Sequence, residues 1–479
     1  MHLHRSPTSR RAALGEVAWG PVQIHFLGAT GTVTGSKYLV RGGRGSVLVD
    51  CGLFQGLKQL RLRNWEPMPV DPKSISAVVL THAHIDHSGY LPALVRDGFK
   101  GKVYCSPATR DLCGVLLPDS AHLQEEEARY ANKKGYSKHH PARPLYTKKD
   151  AEAAISRLKA VPEEEEFEPA KGLTARLIPN GHILGSNCVH VTDRKASVLF
   201  SGDVGRFSDP LMKDPKPPPA AVAYVIESTY GGRNHPGGNP QERLREVVAR
   251  TAKRGGVVII PAFAIGRAQI VLFHLQQLKA KGRIPDVPLY LNSPMAIDAT
   301  EIFARYAGEH DLDRAQCEAM CRAARFVSSV EESKALNASK GPKVIIASSG
   351  MATGGRVVHH IKAFGPGERN TILLTGFQAA GTRGARLAAG ERVLRIHGTE
   401  VPIRAEVVQL EGLSAHADSD EMLRWLRGAP REPKITFLTH GEPVQADALR
   451  LRVQDELGWN CRVPDYLEQA NLPTGTNQR

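Results

Sequence analysis

Apolar residues alternate with polar ones in short bursts from Val22 onward, and glycines punctuate the bursts. Stretches 23–27, 37–40 and 46–49 read as strands, the last two joined through the glycine-rich turn 41–45 as a hairpin. Residues 77–80 form the continuous apolar run of a buried strand and lead straight into a polar cluster over 81–87. Helices are predicted around 121–133 and over 150–159, the second opened by Thr147 with Asp150 three positions on, a capping-box pattern.

The pattern changes between 231 and 395. Asn239 and Pro240 cap and start a helix ending near Gly255, followed by a strand over 257–263, a helix over 266–281 and a strand over 288–292. The alternation repeats as strand 343–348, helix 354–362 and strand 371–377, which predicts right-handed parallel units and an α/β layer of its own. After Val401 short strand-like segments like those before residue 231 return in 403–410, 414–418 and 435–440. The expected division is an N-terminal extension over 1–21, a first domain part over 22–230, an inserted α/β domain over 231–395 and a second part over 396–479.

Composition narrows the classes. The chain has 479 residues, 41% hydrophobic and 23% charged, which disfavours disorder, collagen and coiled coil. Its net charge of +14 would attract polyanions, of which nucleic acid is the commonest, although a basic solvated surface gives the same number. The basic stretch Lys133, Lys134, Lys138, His139, His140, Arg143, Lys148 and Lys149 and the acidic run 163–166 read first as solvated loop charge; the basic one could also face an anionic substrate. Seven cysteines without a CxxC pair point to a reduced, cytoplasmic chain rather than a disulfide framework. No apolar run approaches the ~20 residues of a membrane helix.

Chemistry concentrates in a few short segments. His82, His84, Asp86 and His87 fall within six positions, and imidazole and carboxylate are the borderline donors that suit Zn²⁺. His182 in Gly181-His-Ile-Leu-Gly185, Asp203 in Ser201-Gly-Asp-Val-Gly205 and His440 in Thr439-His-Gly441 each follow an apolar run and neighbour a glycine. Alone, His182 or His440 would be structural. Together with the first cluster they make five histidines and two aspartates, enough for two adjacent metals if one carboxylate bridges.

On these residues the chain resembles the metallo-β-lactamase superfamily and, within it, the β-CASP nucleases. It is most similar to the ribonucleases related to the 73-kDa subunit of the cleavage and polyadenylation specificity factor, in their short bacterial and archaeal form. Asp50 matches the first motif, His82 to His87 the second, His182 the third and Asp203 the fourth, while Glu227, His416 and His440 match β-CASP motifs A, B and C. The resemblance implies an αββα sandwich with an inserted parallel-sheet β-CASP domain. It implies one zinc on His82, His84, His182 and Asp203 and a second on Asp86, His87, Asp203 and His440, with a hydroxide between them as nucleophile. It further implies His416 as general acid oriented by Glu227, Asp50 behind a ligand histidine, and products with 5′-phosphate and 3′-hydroxyl ends. A histidine at motif C is typical of RNA-directed members, so single-stranded RNA is the expected substrate, cut internally first and from the 5′ end second.

Tight strand-to-helix turns in the inserted domain offer backbone N–H groups to phosphates, which makes Arg267, Ser348, Ser349, Gly350, Thr382 and Arg383 candidate contacts. Ordinary turn chemistry explains each of them singly. His359 and His360 read as structural or exposed, Cys317 and Cys321 as half-buried neighbours on a helix, and Cys51 as core. A homodimer and association with other RNA-processing proteins stay open. The competing readings are a DNA nuclease or small-molecule esterase on the same fold, and a non-catalytic subunit of an RNA-processing complex.

Overall fold

Two seven-stranded sheets and one six-stranded sheet organise the chain in a computed structural model that describes residues 22–474 except 136, 138 and 194. The expected extension over 1–21 and Lys138 of the basic stretch therefore lie outside the described residues.

The first sheet runs in the order Gln469–Asn471, Gln23–Phe26, Tyr38–Gly42, Gly45–Val49, Ala77–Val79, Lys102–Cys105, Leu158–Ala160. The second runs Cys461–Arg462, Ile435–Thr439, Ala223–Glu227, Ser197–Phe200, Asn187–Thr192, Leu173–Pro179, Glu166–Ala170. Strand periodicity explains how they pack. Ile24, Phe26, Val47, Val49 and Val79 face Val198, Phe200, Val225 and Phe437 in one core between the sheets. The intervening residues face outward: Leu48, Val78 and Leu80 meet helices on one side, and Leu199, Tyr224 and Ile226 meet the helices Ser419–Arg427 and Pro443–Leu457 on the other. Tyr38 stacks on Phe200 at 5.5 Å and Phe26 lies 5.0 Å from Phe437, so aromatic pairs join the two sheets at the centre. This is the αββα sandwich expected.

The third sheet is entirely parallel, in the order Arg325–Phe326, Leu289–Leu291, Lys343–Ala347, Val257–Pro261, Thr371–Leu374, Glu406–Gln409. Its strands read as near-continuous Val and Ile because both faces are covered. Val258 and Ile260 point into the core shared with the sandwich, Val257 and Ile259 into a separate one with Val357 and Ile361.

Three expectations are corrected. The helix expected around 121–133 is Pro107–Lys134, begun by Ser106, whose hydroxyl accepts the Thr109 N–H. Burial of Leu112, Leu116 and Leu117 carries it through Pro118, against local propensity. The helix expected to reach 159 stops at Ile155, because 158–160 is taken as an edge strand beside Lys102–Cys105. The inserted sheet does not end at 395: Glu406–Gln409 pairs in parallel with Thr371–Leu374, so residues assigned to the second part of the sandwich complete the insert.

Candidate metal centre and active site

The functional side chains leave from the ends of strands along one rim of the sandwich. Gly45–Val49 delivers Asp50, Ala77–Val79 delivers Thr81 and His82, Ser197–Phe200 precedes Asp203, and Ile435–Thr439 delivers His440. Asp50 and His440 adopt left-handed backbone angles, with φ of +58° and +47°, a conformation that non-glycine residues hold only when their surroundings impose it.

Seven donors converge there in two groups. In the first, His84 Nδ1 lies 3.1 Å from His82 Nε2 and 3.3 Å from His182 Nε2, and Asp203 Oδ2 lies 3.4 Å from His82 Nε2 and 3.5 Å from His182 Nε2. In the second, His440 Nε2 lies 3.1 Å from His87 Nε2 and 3.5 Å from Asp86 Oδ2, while Asp203 Oδ1 reaches His87 Nε2 at 3.3 Å. One oxygen of Asp203 thus faces each group. All are buried apart from the half-buried His84 and Asp86.

Hydrogen bonds behind the histidines choose their tautomers. His87 Nδ1–H donates to Asp50 Oδ2 at 2.7 Å. The Thr81 hydroxyl donates to the same carboxylate at 2.9 Å, which leaves its oxygen to accept from His82 Nδ1–H at 2.9 Å. His182 Nδ1–H donates to the Ala415 carbonyl at 3.3 Å, and His440 Nδ1–H to Thr229 Oγ1 at 3.1 Å. In His82, His182 and His440 this leaves Nε2 to face the other donors, and His87 Nε2 faces them too with the Ser36 hydroxyl at 3.4 Å beside it. Two imidazole nitrogens 3.1 Å apart are held that close by a proton or a metal cation between them, and Asp203 Oδ1 has no hydrogen-bond partner. The donors therefore fit a divalent cation.

The electrostatics agree. Burial lowers the pKa of His82 to about 3 and lowers those of His84 and His182, keeping them in the neutral form that ligates. His87 goes the other way: burial is outweighed by the Asp203 and Asp50 carboxylates, which raise it. That attraction for a proton is the attraction a metal cation would take over. Asp203 is held well below the usual carboxylate range, burial being overcome by His440 and His87.

Beside the donors, His416 Nδ1 lies 3.0 Å from Glu227 Oε2, and the His416 ring is 4.5 Å from that of His182. Glu227 is buried and accepts the Val204 N–H at 2.6 Å. Burial disfavours a charged His416, yet Glu227 and Asp203 raise its pKa to about 8. The Glu227 carboxylate at Nδ1 thus favours the charged form of His416.

The expected phosphate contacts divide. Arg267 is buried, its Nη1 has no partner, and it shares a cavity of about 30 Å³ with His182 and Ala415. Thr382 instead caps the helix Arg383–Ala388, and Arg383 donates to the carbonyls of Thr353 and Arg395. Ser349 Oγ pairs with Thr353, and Gly350 packs on Phe263, whose ring is 6.4 Å from that of His84. The described members of the basic stretch are exposed. His360 is buried between Asn292 and Asn337, Cys317 is buried and Cys321 half-buried, and Cys51 is core.

Thr81 and Thr229 were not anticipated. Both stand inside the motifs read from the sequence, next to His82 and two positions after Glu227, and that adjacency was the available signal.

Comparison with known proteins agrees with this geometry. Residues 30–246 match the metallo-β-lactamase superfamily, 268–387 the Beta-Casp domain and 400–464 the Zn-dependent metallo-hydrolase RNA specificity domain. Over 89% of its length the chain is 37% identical to ribonuclease TTHA0252 of Thermus thermophilus, of which it covers 95%. The chain belongs to the β-CASP family of the metallo-β-lactamase superfamily. This β-CASP hydrolase is also 31% identical to the transcription termination factor FttA of Methanosarcina mazei, over 98% of this chain and 73% of that protein. A crystal structure of a protein of unknown function from Enterococcus faecalis superposes with a TM-score of 0.52 at 12% identity, covering 94% of this chain and all of that one, a likeness of fold. The fold implies a divalent metal at the clustered donors, and the enzyme is a metal-dependent hydrolase. Among the described residues no helix is long and apolar enough to cross a membrane.

Proposed function

We propose that this enzyme is a zinc-dependent ribonuclease that hydrolyses single-stranded RNA in the cleft between the sandwich and the insert, leaving 5′-phosphate and 3′-hydroxyl ends. The observation that carries the reading is the placement of seven donors in two groups, split by Asp203, directly beside the His416–Glu227 pair. A tetrahedral zinc with bonds of ~2.0–2.1 Å spaces its ligand atoms about 3.3 Å apart. The first group, with separations of 3.1–3.5 Å, matches that spacing. His82, His84, His182 and Asp203 would hold one zinc, and Asp86, His87, Asp203 and His440 the second.

Two zincs bound there would supply a water of lowered pKa and offset the charge of the phosphodiester. The chain's own residues do the rest. Asp50 and Thr81 hold His87 and His82 in the ligating tautomer, and Thr229 does so for His440. His416 gives its proton to the departing 3′ oxygen, and Glu227 keeps that proton available at neutral pH. Arg267, the one expected phosphate contact with a buried and unpartnered donor beside His182, binds a neighbouring phosphate. The similarity to a named ribonuclease and the match to an RNA specificity domain favour RNA, and seven free cysteines suit the cytoplasm.

The test is a gel-resolved time course of zinc-loaded protein on single-stranded RNA labelled separately at its 5′ end and internally, with His416→Ala alongside. Internal fragments that disappear in the variant support an endoribonuclease; release of 5′ mononucleotides makes it an exonuclease with the same site. Absence of cleavage by protein carrying two zincs overturns the reading.

A further inference from the structure

Three of the ten exposed large apolar side chains among the described residues crowd into one short segment: Leu57, Leu62 and Trp65, exposed by 40%, 49% and 57%. The helix Lys58–Arg63 between them buries no side chain. An unsupported apolar loop would normally collapse, yet this one is built to stay open. Asn64 clasps the Phe54 peptide from both sides, Oδ1 accepting its N–H at 2.9 Å and Nδ2 donating to its carbonyl at 2.7 Å. The Arg63 guanidinium sits 4.1 Å from the centre of the Tyr466 ring, pinning the helix to the sandwich.

The segment runs between the metal loop and the insert. At its base, Cys51 and Leu53 N–H groups donate to the carbonyls of His87 and Ile85, which flank Asp86. Toward the insert, a β-carbon on Gly56 would sit 2.9 Å from the Ala380 carbonyl, so the segment abuts it with no room for a side chain. From Ala380 contacts continue inward: the neighbouring Gln378 donates to the Gly350 carbonyl at 3.2 Å, Gly350 rests on Phe263, and Phe263 faces His84. Within 51–70 the cations Lys58, Arg61 and Arg63 are offset only by Glu66.

We propose that Leu57 to Trp65 is a platform for single-stranded RNA at the mouth of the cleft, with a base stacked on the Trp65 indole and backbone phosphates against Lys58 and Arg61. The proposal rests on the ribonuclease function proposed for the metal site. An exposed aromatic on an anchored segment, beside cations in excess of carboxylates, is what sequence-tolerant single-strand binding needs, because every base offers a π-face and every linkage a charge. Apolar side chains alone would serve a protein partner as well, and it is the combination of a stacking surface with regularly available cations that single-stranded RNA uses along its whole length.

The experiment uses the zinc-loaded full chain, oligouridylate as the long substrate and bis(p-nitrophenyl) phosphate as a diester too small to reach the segment from the metal cluster. Trp65→Ala should raise KM for oligouridylate roughly tenfold, the order of one lost base–aromatic stack, and leave hydrolysis of the small diester at the wild-type rate. Trp65→Phe should restore most of the loss, and Lys58→Ala with Arg61→Ala should flatten the salt dependence of KM. Unchanged KM in Trp65→Ala, with wild type cleaving the RNA, overturns the platform and leaves the ribonuclease function intact. Wild type that hydrolyses the small diester but neither binds nor cleaves oligouridylate overturns both. Sedimentation in which Trp65→Ala splits a dimer assigns the segment to a second copy of the chain and overturns the platform.

Discussion

His416 and Glu227 are 189 residues apart in sequence and 3.0 Å apart in space; an isolated bridge pairs His416 with Gly205, whose neighbour Val204 donates its N–H to Glu227, and the His416 ring lies 4.5 Å from that of His182. The carboxylate meets Nδ1, so Nε2 is the edge that the proposed mechanism uses to give up a proton. On the proposed mechanism, replacing His416 with Ala removes a proton donor and no ligand. Zinc content by mass spectrometry should stay at the wild-type level while cleavage falls by roughly 10²- to 10⁴-fold. Undiminished cleavage would assign the acid role elsewhere.

Asp203 divides its two oxygens between the groups, so Asp203→Asn should weaken both. The expected outcome is metal content well under that of wild type together with lost activity. A variant with a full metal complement would contradict the bridging role.

Gly52 connects the Asp50 turn to the metal loop, because a β-carbon there would collide with the carbonyl oxygen of Asp86. Gly52→Ala should cost about 1–3 kcal/mol in chemical denaturation and reduce metal affinity, since the loop carrying Asp86 and His87 must move. Normal stability and normal metal binding would show that the loop yields freely.

Glu309 has its carboxyl raised to about 7 by burial, with the charge of Glu163 adding to it, and its Oε2 has no hydrogen-bond partner. A carboxyl whose folded pKa exceeds its unfolded value near 4.5 favours the fold fully below that value and loses the contribution as pH rises through about 7. Glu309→Gln should therefore raise Tm at pH 8 relative to wild type and do little at pH 4. Equal shifts at both pH values would place the effect in packing instead of charge.

The +14 charge makes a further test. Binding of single-stranded RNA, followed by fluorescence anisotropy with the His416→Ala variant, should weaken steeply with salt, log K falling by about 0.7 per phosphate contact for each tenfold rise in salt. A flat dependence would return the charge to ordinary surface solvation.

What the sequence by itself determined is whatever local pattern can encode. Short apolar runs bounded by glycine or polar residues marked the strands at 46–49 and 77–80, and the spacing of His82, His84, Asp86 and His87 announced a metal loop, whereas the division of Val198 and Phe200 from Leu199 between two cores came from the sheet packing. Asn239 and Pro240 announced a helix start because a cap is satisfied by its nearest neighbours. Only the tertiary structure decided the rest. Residues 158–160 became a strand because an edge at Lys102–Cys105 was there to pair with, and Glu406–Gln409 joined the insert because Thr371–Leu374 offered a parallel neighbour. Arg267 differs from Thr382 and Arg383 in keeping an unpartnered donor, because other parts of the chain engage the other two. Thr81 and Thr229 acquired their roles from imidazoles turned toward them by the fold. Hydrogen bonds and burial between residues hundreds of positions apart are properties of proximity, and proximity is not written in any one window of the chain.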